Sequence, residues 1–197
     1  MASTAPLKSP TLQPLDWIHA GCARLCAEGI DAVRVEVLAR ELGVSKGSFY
    51  WHFQDREDLL GKMLAHWEAD ENDWFEGVAS FNRSAAARWA QFVERVSQPD
   101  RARLLIGFQS WARRDVAVAG RIAAIEARRR RFIGDVLQDV GLSPAAAETW
   151  SQQVHFAFLG WIDRATREPD PAKPQRPLGE ILSGLIRAAS ADAAGSR

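Results

Sequence analysis

Apolar residues recur along this chain at helical spacing almost from end to end. Over 15–28 they place Ile18, Cys22, Leu25 and Cys26 on one stripe, and Gly29 follows as a left-handed helix stop. Val35, Leu38, Ala39 and Leu42 then repeat at the i, i+3, i+4, i+7 spacing of a short amphipathic helix closed by Gly43. Ser45 stands at an N-cap position, with Val44 before it and Phe49 at the fourth helical position, the arrangement of a hydrophobic staple. A turn of two or three residues therefore joins a second helix to a third. Asp55 opens a fourth helix as a capping residue. Leu59, Leu60, Met63, Leu64 and Trp67 line its buried side, and it runs to about Val78.

Helical periodicity continues over 85–96, 102–113, 116–140, 145–167 and 178–189, without strand alternation. Pro99, Gly141 with Pro144, and the segment "EPDPAKPQRP" at 168–177 mark the breaks. Prolines at 6, 10 and 14 keep the first residues out of a helix. The expectation is an all-α protein with a flexible arm over 1–14, a three-helix head with a helix-turn-helix over 15–60, a helical body over 61–190 and a flexible tail over 191–197.

Composition narrows the function only slightly. Lys plus Arg and Asp plus Glu number 25 each, so no bulk field announces a nucleic acid, and charge placement must decide. The opening residues hold no apolar run of signal-peptide length, and "VHFAFLGWI" is too short to span a bilayer, which makes the cytoplasm the expected location. Cys22 and Cys26, with His19 one turn earlier, lack a nearby cluster to complete a zinc site and read as a small core face. No metal, cofactor or membrane is expected.

Chemistry concentrates in "GVSKGSFYWHF", 43–53. Two short helices joined by a tight glycine turn, the second presenting polar and aromatic groups outward, form a helix-turn-helix, whose partner is the major groove of DNA. Gly47 and Ser48 allow close approach, Lys46 offers a point charge to phosphate or guanine, and Tyr50 and His52 each donate toward the DNA backbone. Phe49 and Phe53 belong to the core, and Trp51 is expected to pack against the first or fourth helix.

At this point "GVSKGSFYWHFQDREDLL", preceded by "AEGIDAVRVEVLAREL", resembles the DNA-binding segment of the TetR family of bacterial transcriptional repressors, over roughly residues 15–65. The resemblance implies a homodimer whose body binds a small effector and releases DNA. Carried over by position, Ser45 caps the recognition helix, Lys46, Gly47 and Ser48 face the groove, and Tyr50 and His52 contact phosphate. Arg56, where the family usually has Lys, would meet phosphate from the start of the fourth helix. Arg34 replaces the usual Thr, losing a capping hydroxyl and gaining a phosphate contact. Glu36 suits the helix dipole but would repel phosphate or accept from a cytosine amine. Between Arg34 and Lys62 five formal positive charges meet five negative ones, so affinity must come from placed contacts and from doubling the head.

In the body, Trp67, Trp74, Trp89, Phe92, Phe108, Trp111, Phe132, Trp150 and Phe158 lie on different predicted helices and are expected to converge on a cavity for a flat apolar or cationic ligand, oriented by His155. The run "RRRR" at 128–131 reads as a salt-bridged solvated surface. Leu178, Ile181, Leu182, Leu185 and Ile186 form a wide apolar stripe, and Gly184 and Ala188, four apart, permit close helix crossing. With Phe156 and Leu159 they are expected to form a four-helix interface between two copies, giving a palindromic operator. The functional expectation is a ligand-responsive repressor with no catalytic residue. The alternatives are a helical ligand- or partner-binding protein without DNA binding, and a helical enzyme. The enzyme is disfavoured because the chain has no Gly-rich phosphate loop, no paired metal-ligand motif and no supported nucleophile.

Overall fold

The computed structural model of the protein describes residues 12–80, 84–167 and 178–195. The expected N-terminal arm up to residue 11, the proline-rich stretch 168–177 and the last two residues lie outside that set. Among the described residues the regular elements are all helical: α1 (Pro14–Glu28), a single 3-10 turn (Ile30–Ala32), α2 (Val35–Glu41), α3 (Lys46–Tyr50), α4 (Arg56–Ser80), α5 (Ala85–Val96), α6 (Pro99–Ala112), α7 (Val116–Asp139), α8 (Pro144–Arg167) and α9 (Leu178–Gly195). Two compact units divide between His66 and Trp67, inside α4, where the sequence pattern suggested 60/61.

The first unit is built on a small aromatic core. Trp17 and Phe49 are fully buried and meet edge to face at 5.2 Å, and Phe49 stacks on Phe53 at 5.1 Å. This core turns the buried stripe of α1 to Trp17, Ile18, Gly21 and Leu25, and leaves Cys22 and Cys26 half-buried rather than central. Gly21 is where α1 meets α4: a Cβ there would stand 2.6 Å from the Met63 sulfur. Gly43 ends the second helix region at φ +68°, and the Val44 N–H donates back to the Ala39 carbonyl at 2.9 Å, so the chain reverses in a turn that an L side chain would strain. As expected, Asp55 caps α4, its carboxylate accepting from the Asp58 N–H at 2.8 Å.

In the second unit α7 packs against α5, α6, α8 and α9. Its buried face carries Ile122, Ile125, Phe132, Ile133, Val136 and Leu137. Val154, Phe158 and Ile162 face the core from α8, and Leu178 and Leu182 from α9. Two prolines read as breaks turn out to be starts. Pro99 and Pro144 are the first residues of α6 and α8, where the missing N–H would have had no helical partner anyway, so α6 begins three residues before the periodicity suggested. Asp115 caps α7 through the N–H groups of Ala117 and Val118, at 2.9 and 3.1 Å. The helix α9 continues to Gly195, through the stretch expected to be a tail.

Candidate nucleic-acid interface

The candidate surface is assembled from α2, the turn at Gly43 and α3. Five residues make α3, and of these only Phe49 is buried; Lys46, Gly47 and Tyr50 are exposed and Ser48 is half-exposed. Anchoring Phe49 between Trp17 and Phe53 therefore turns the remaining side chains outward. Tyr50 is 61% exposed and Trp51, immediately after the helix, 88%. Trp51 thus does not pack on α1 or α4: the inward direction at this turn is already filled by Phe49 and Phe53. His52 is half-buried, edge-on to Phe53 at 6.3 Å, and its carbonyl accepts from Lys62 at 3.3 Å.

Ser45 occupies the N-cap position with extended backbone, but its hydroxyl makes no capping bond, so it remains exposed on this surface. Arg34 begins α2 in the same way and its Nε donates to the Asp31 carbonyl at 3.1 Å. Arg56 serves the head itself. Its Nε donates to the Val33 carbonyl and its Nη2 to the Ile30 carbonyl, both at 2.6 Å, clamping the 3-10 turn to the start of α4. Lys46 Nζ lies 2.6 Å from Glu36 Oε1, an exposed ion pair that joins α3 to α2. That ammonium holds the Glu36 carboxyl below its ordinary pKa. Local spacing carries no sign of this pair, because its members lie on different helices.

Cys22 is pushed up to about 12, first by burial and then by the neighbouring Cys26, so its thiolate, the form that attacks or binds metal, is scarce. Among the described residues no group of three or more His, Cys, Asp or Glu side chains could hold a metal ion.

The aromatic residues of the body come together in two groups. Trp67 packs on Phe108 at 5.1 Å, with Trp111 6.4 Å beyond it. Trp89, Phe92 and Phe132 follow one another at 5.4 and 5.5 Å, joined by Trp74 and Phe75. These rings fill space against each other. A groove of about 720 Å³ lies beside them, between α4 and α7, with Phe75, Ile125 and Phe132 in its wall and Arg121, Arg128 and Arg131 around it; of the expected pocket residues it includes Phe132. A second hollow of about 530 Å³, between α4 and α5, is lined by Trp74, Val78, Arg95 and neighbours, and of the expected aromatic residues it includes Trp74. Trp150 is half-buried on α8.

Charge is buried in this body where the arginine run suggested only surface. Arg128 does reach the α4 surface, to Asn72 at 2.8 Å and Glu76 at 3.1 Å. Arg129, however, is 3% exposed, lies 3.3 Å from the buried Glu71 and sits over the Phe158 ring at 4.9 Å. Burial lowers its pKa and the Glu71 carboxylate opposes that shift. Glu71 also receives Arg95 and Arg101, each at 3.1 Å. His155, 1% exposed, faces Glu126 at 3.9 Å, and the Glu126 carboxylate also accepts from Gln109 at 2.9 Å. Arg129 Nε and Nη1 and both ring nitrogens of His155 make no hydrogen bond to protein.

Of the residues expected at a subunit interface, Phe156 is 65% exposed, Leu159, Ile181, Gly184 and Leu185 are half-buried, and Ala188 is exposed. Leu182 is completely buried within the chain and has no surface left to give a second copy.

The first unit holds a helix-turn-helix, and the second is a larger all-helical unit. Residues 18–63 match the model of a family described as bacterial regulatory proteins, tetR family. Solved structures share the fold over nearly the whole chain. A transcriptional regulator from Rhodococcus sp. Rha1 is 18% identical, with 90% of this chain and 96% of that one covered and a TM-score of 0.71. A TetR transcription regulator from Haloarcula marismortui is 18% identical over 92% and 96%, at 0.66. The transcriptional regulator FadR of Bacillus subtilis, solved in complex with stearoyl-CoA, is 13% identical over 90% and 98%, at 0.61. A comparison with curated protein sequences finds no match. Among the described residues no helix is long and apolar enough to cross a membrane.

Proposed function

We propose that this chain is a ligand-responsive transcriptional repressor, and not an enzyme, working in the cytoplasm as a homodimer on a palindromic DNA operator. The observation that carries this reading is the division of α3: one buried phenylalanine seats it, and Lys46, Gly47, Ser48 and Tyr50 are presented together. A groove about 12 Å wide admits one such helix. In this reading Ser45, Lys46, Gly47 and Ser48 approach the bases, while Arg34, Tyr50 and His52 grip phosphates. Phe156, Leu159, Ile181 and Leu185, apolar and incompletely covered in one chain, form the seam with a second copy. The dimer sets two heads about 34 Å apart.

The effector is a small molecule with an apolar or aromatic body, bound in the second unit. The aromatic groups around Phe108 and Phe132 support the apolar part. Arg129 Nε and Nη1 and His155 Nδ1, buried without a protein acceptor, favour a ligand that also brings a hydrogen-bond acceptor. The stearoyl-CoA in the Bacillus structure has both properties. Coupling runs along α4, a single uninterrupted helix from the head into the body. An effector preferring a conformation with misplaced heads shifts the dimer toward it, typically by 1–3 kcal/mol, and by reciprocity DNA weakens the effector.

The test is the double variant Tyr50→Ala, His52→Ala. Losing two hydrogen bonds per head at about 1 kcal/mol each should weaken binding to duplexes selected from a random pool by tenfold or more, with the oligomeric state unchanged. Wild-type affinity in the double variant would overturn the assignment.

A further inference from the structure

The exposed Lys46–Glu36 pair has no evident use within the head. Both side chains are more than half open, at 55% and 59%, so their contact at 2.6 Å adds little to folding. A carboxylate on a surface turned toward a polyanion weakens binding wherever it finds no donor. Phosphates and sugars of duplex DNA offer it none. In the major groove the donors are the exocyclic amines, N4 of cytosine and N6 of adenine, and the other edge atoms are acceptors or the thymine methyl. Glu36 therefore ties its position to a base amine.

Lys46 decides which one. One of its three N–H groups faces Glu36, leaving two for acceptors beside that amine. In a G·C pair, guanine presents O6 and N7 next to cytosine N4, two acceptors for two donors. In an A·T pair the amine lies between a single N7 and thymine O4, with the thymine methyl at the edge of the pair, where it would strip water from a carboxylate without replacing the bond. The neighbours on α3, Gly47 and Ser48, carry no charge that would alter this match.

We propose that Lys46 and Glu36 act together as the reader of one G·C base pair in each half-site, Glu36 accepting from the cytosine N4 amine while Lys46 donates to guanine O6 and N7. The inference rests on the DNA-binding function proposed above, and gives it a specificity-determining residue on α2 as well as on α3.

The experiment selects duplexes from a random pool with the full-length wild-type protein and with Glu36→Ala and Glu36→Gln, followed by titration of the recovered sites. Both substitutions fall on an exposed position and should leave the circular dichroism spectrum unchanged. The expected wild-type consensus holds one G·C pair per half-site whose exchange for A·T weakens binding about 5- to 150-fold, the range of a good base contact. In Glu36→Ala that preference should fall to threefold or less while other positions keep theirs, and Glu36→Gln should turn it toward adenine. A uniform gain in affinity for all sequences, with the preferences intact, would show Glu36 to be a repulsive charge only and would overturn the proposal. So would a preference lost at an A·T pair instead. Both of those outcomes leave the repressor function standing, whereas a wild-type protein that recovers no consensus removes that function and this inference together.

Discussion

Arg56 lies where a phosphate contact would be expected, yet two of its nitrogens are bound to the head's own backbone. Replacing it by methionine keeps most of the stem and deletes the guanidinium. Two charge-assisted hydrogen bonds at 2.6 Å are lost, and the carbonyls of Ile30 and Val33 lose that donor. A hydrogen bond to a charged group is worth roughly 1.5–3 kcal/mol, so two would give about 3–6. The side chain is 31% exposed, which screens part of the interaction, whereas Val33 is fully buried and its carbonyl gains no water in exchange. We therefore expect a destabilisation of about 2–3 kcal/mol, measured by urea denaturation of the full chain followed by circular dichroism. The second measurement is affinity for a random-sequence duplex at several salt concentrations, below the temperature where the variant begins to unfold. Each phosphate contact contributes about 0.9 to the slope of log affinity against log salt. If Arg56 is a clamp, Arg56→Met lowers stability and leaves that slope unchanged. Unaltered stability with a slope reduced by about 0.9 per head would refute the reasoning, and would make Arg56 a phosphate ligand that leaves its carbonyl partners on binding.

Two further outcomes follow from the buried groups. Glu71→Ala leaves Arg129 buried without its carboxylate and should cost about 3–5 kcal/mol in denaturation, whereas Glu71→Gln combined with Arg129→Met should return most of that loss; equal losses in both variants would refute a buried-charge origin. With its thiol held up to about 12, Cys22 in the folded protein should react with iodoacetamide at pH 8 at least a hundredfold more slowly than in urea, followed by mass spectrometry, and equal rates would refute the burial argument.

Local pattern revealed more of the head than of the body, for a physical reason. The glycine turn and the Asp55 cap are contacts between residues a few positions apart, so spacing alone discloses them. Helix starts at Pro99 and Pro144 were hidden because proline reads as a breaker unless its place at the first helical position is considered. The α1 stripe was misaligned by about one residue, since its direction is set by the fit of Trp17 to Phe49, thirty-two positions away. Arg129 shows the limit most clearly. One arginine among four in a row is taken inside because its partner Glu71 approaches from 58 residues earlier, and a charge run carries no mark of which member does so. Likewise, of the aromatic residues expected to converge on a cavity, Trp67, Trp89, Phe92, Phe108, Phe132 and Phe158 are buried while Trp74, Trp111 and Trp150 are only half-buried, and periodicity cannot say whether rings enclose a space or fill it. Here Phe92 and Phe132 touch, and the larger hollow lies to one side.

The brevity of α3 has an evolutionary consequence. Five residues are too few to hold a helix unaided, so its shape is borrowed from the aromatic bed beneath Phe49. The remaining positions owe almost nothing to folding and are free to drift. Under the proposed DNA-reading role, a lineage with this head can rewrite its genomic address by point mutation, one letter at a time, while the foundation that makes the address legible stays in place.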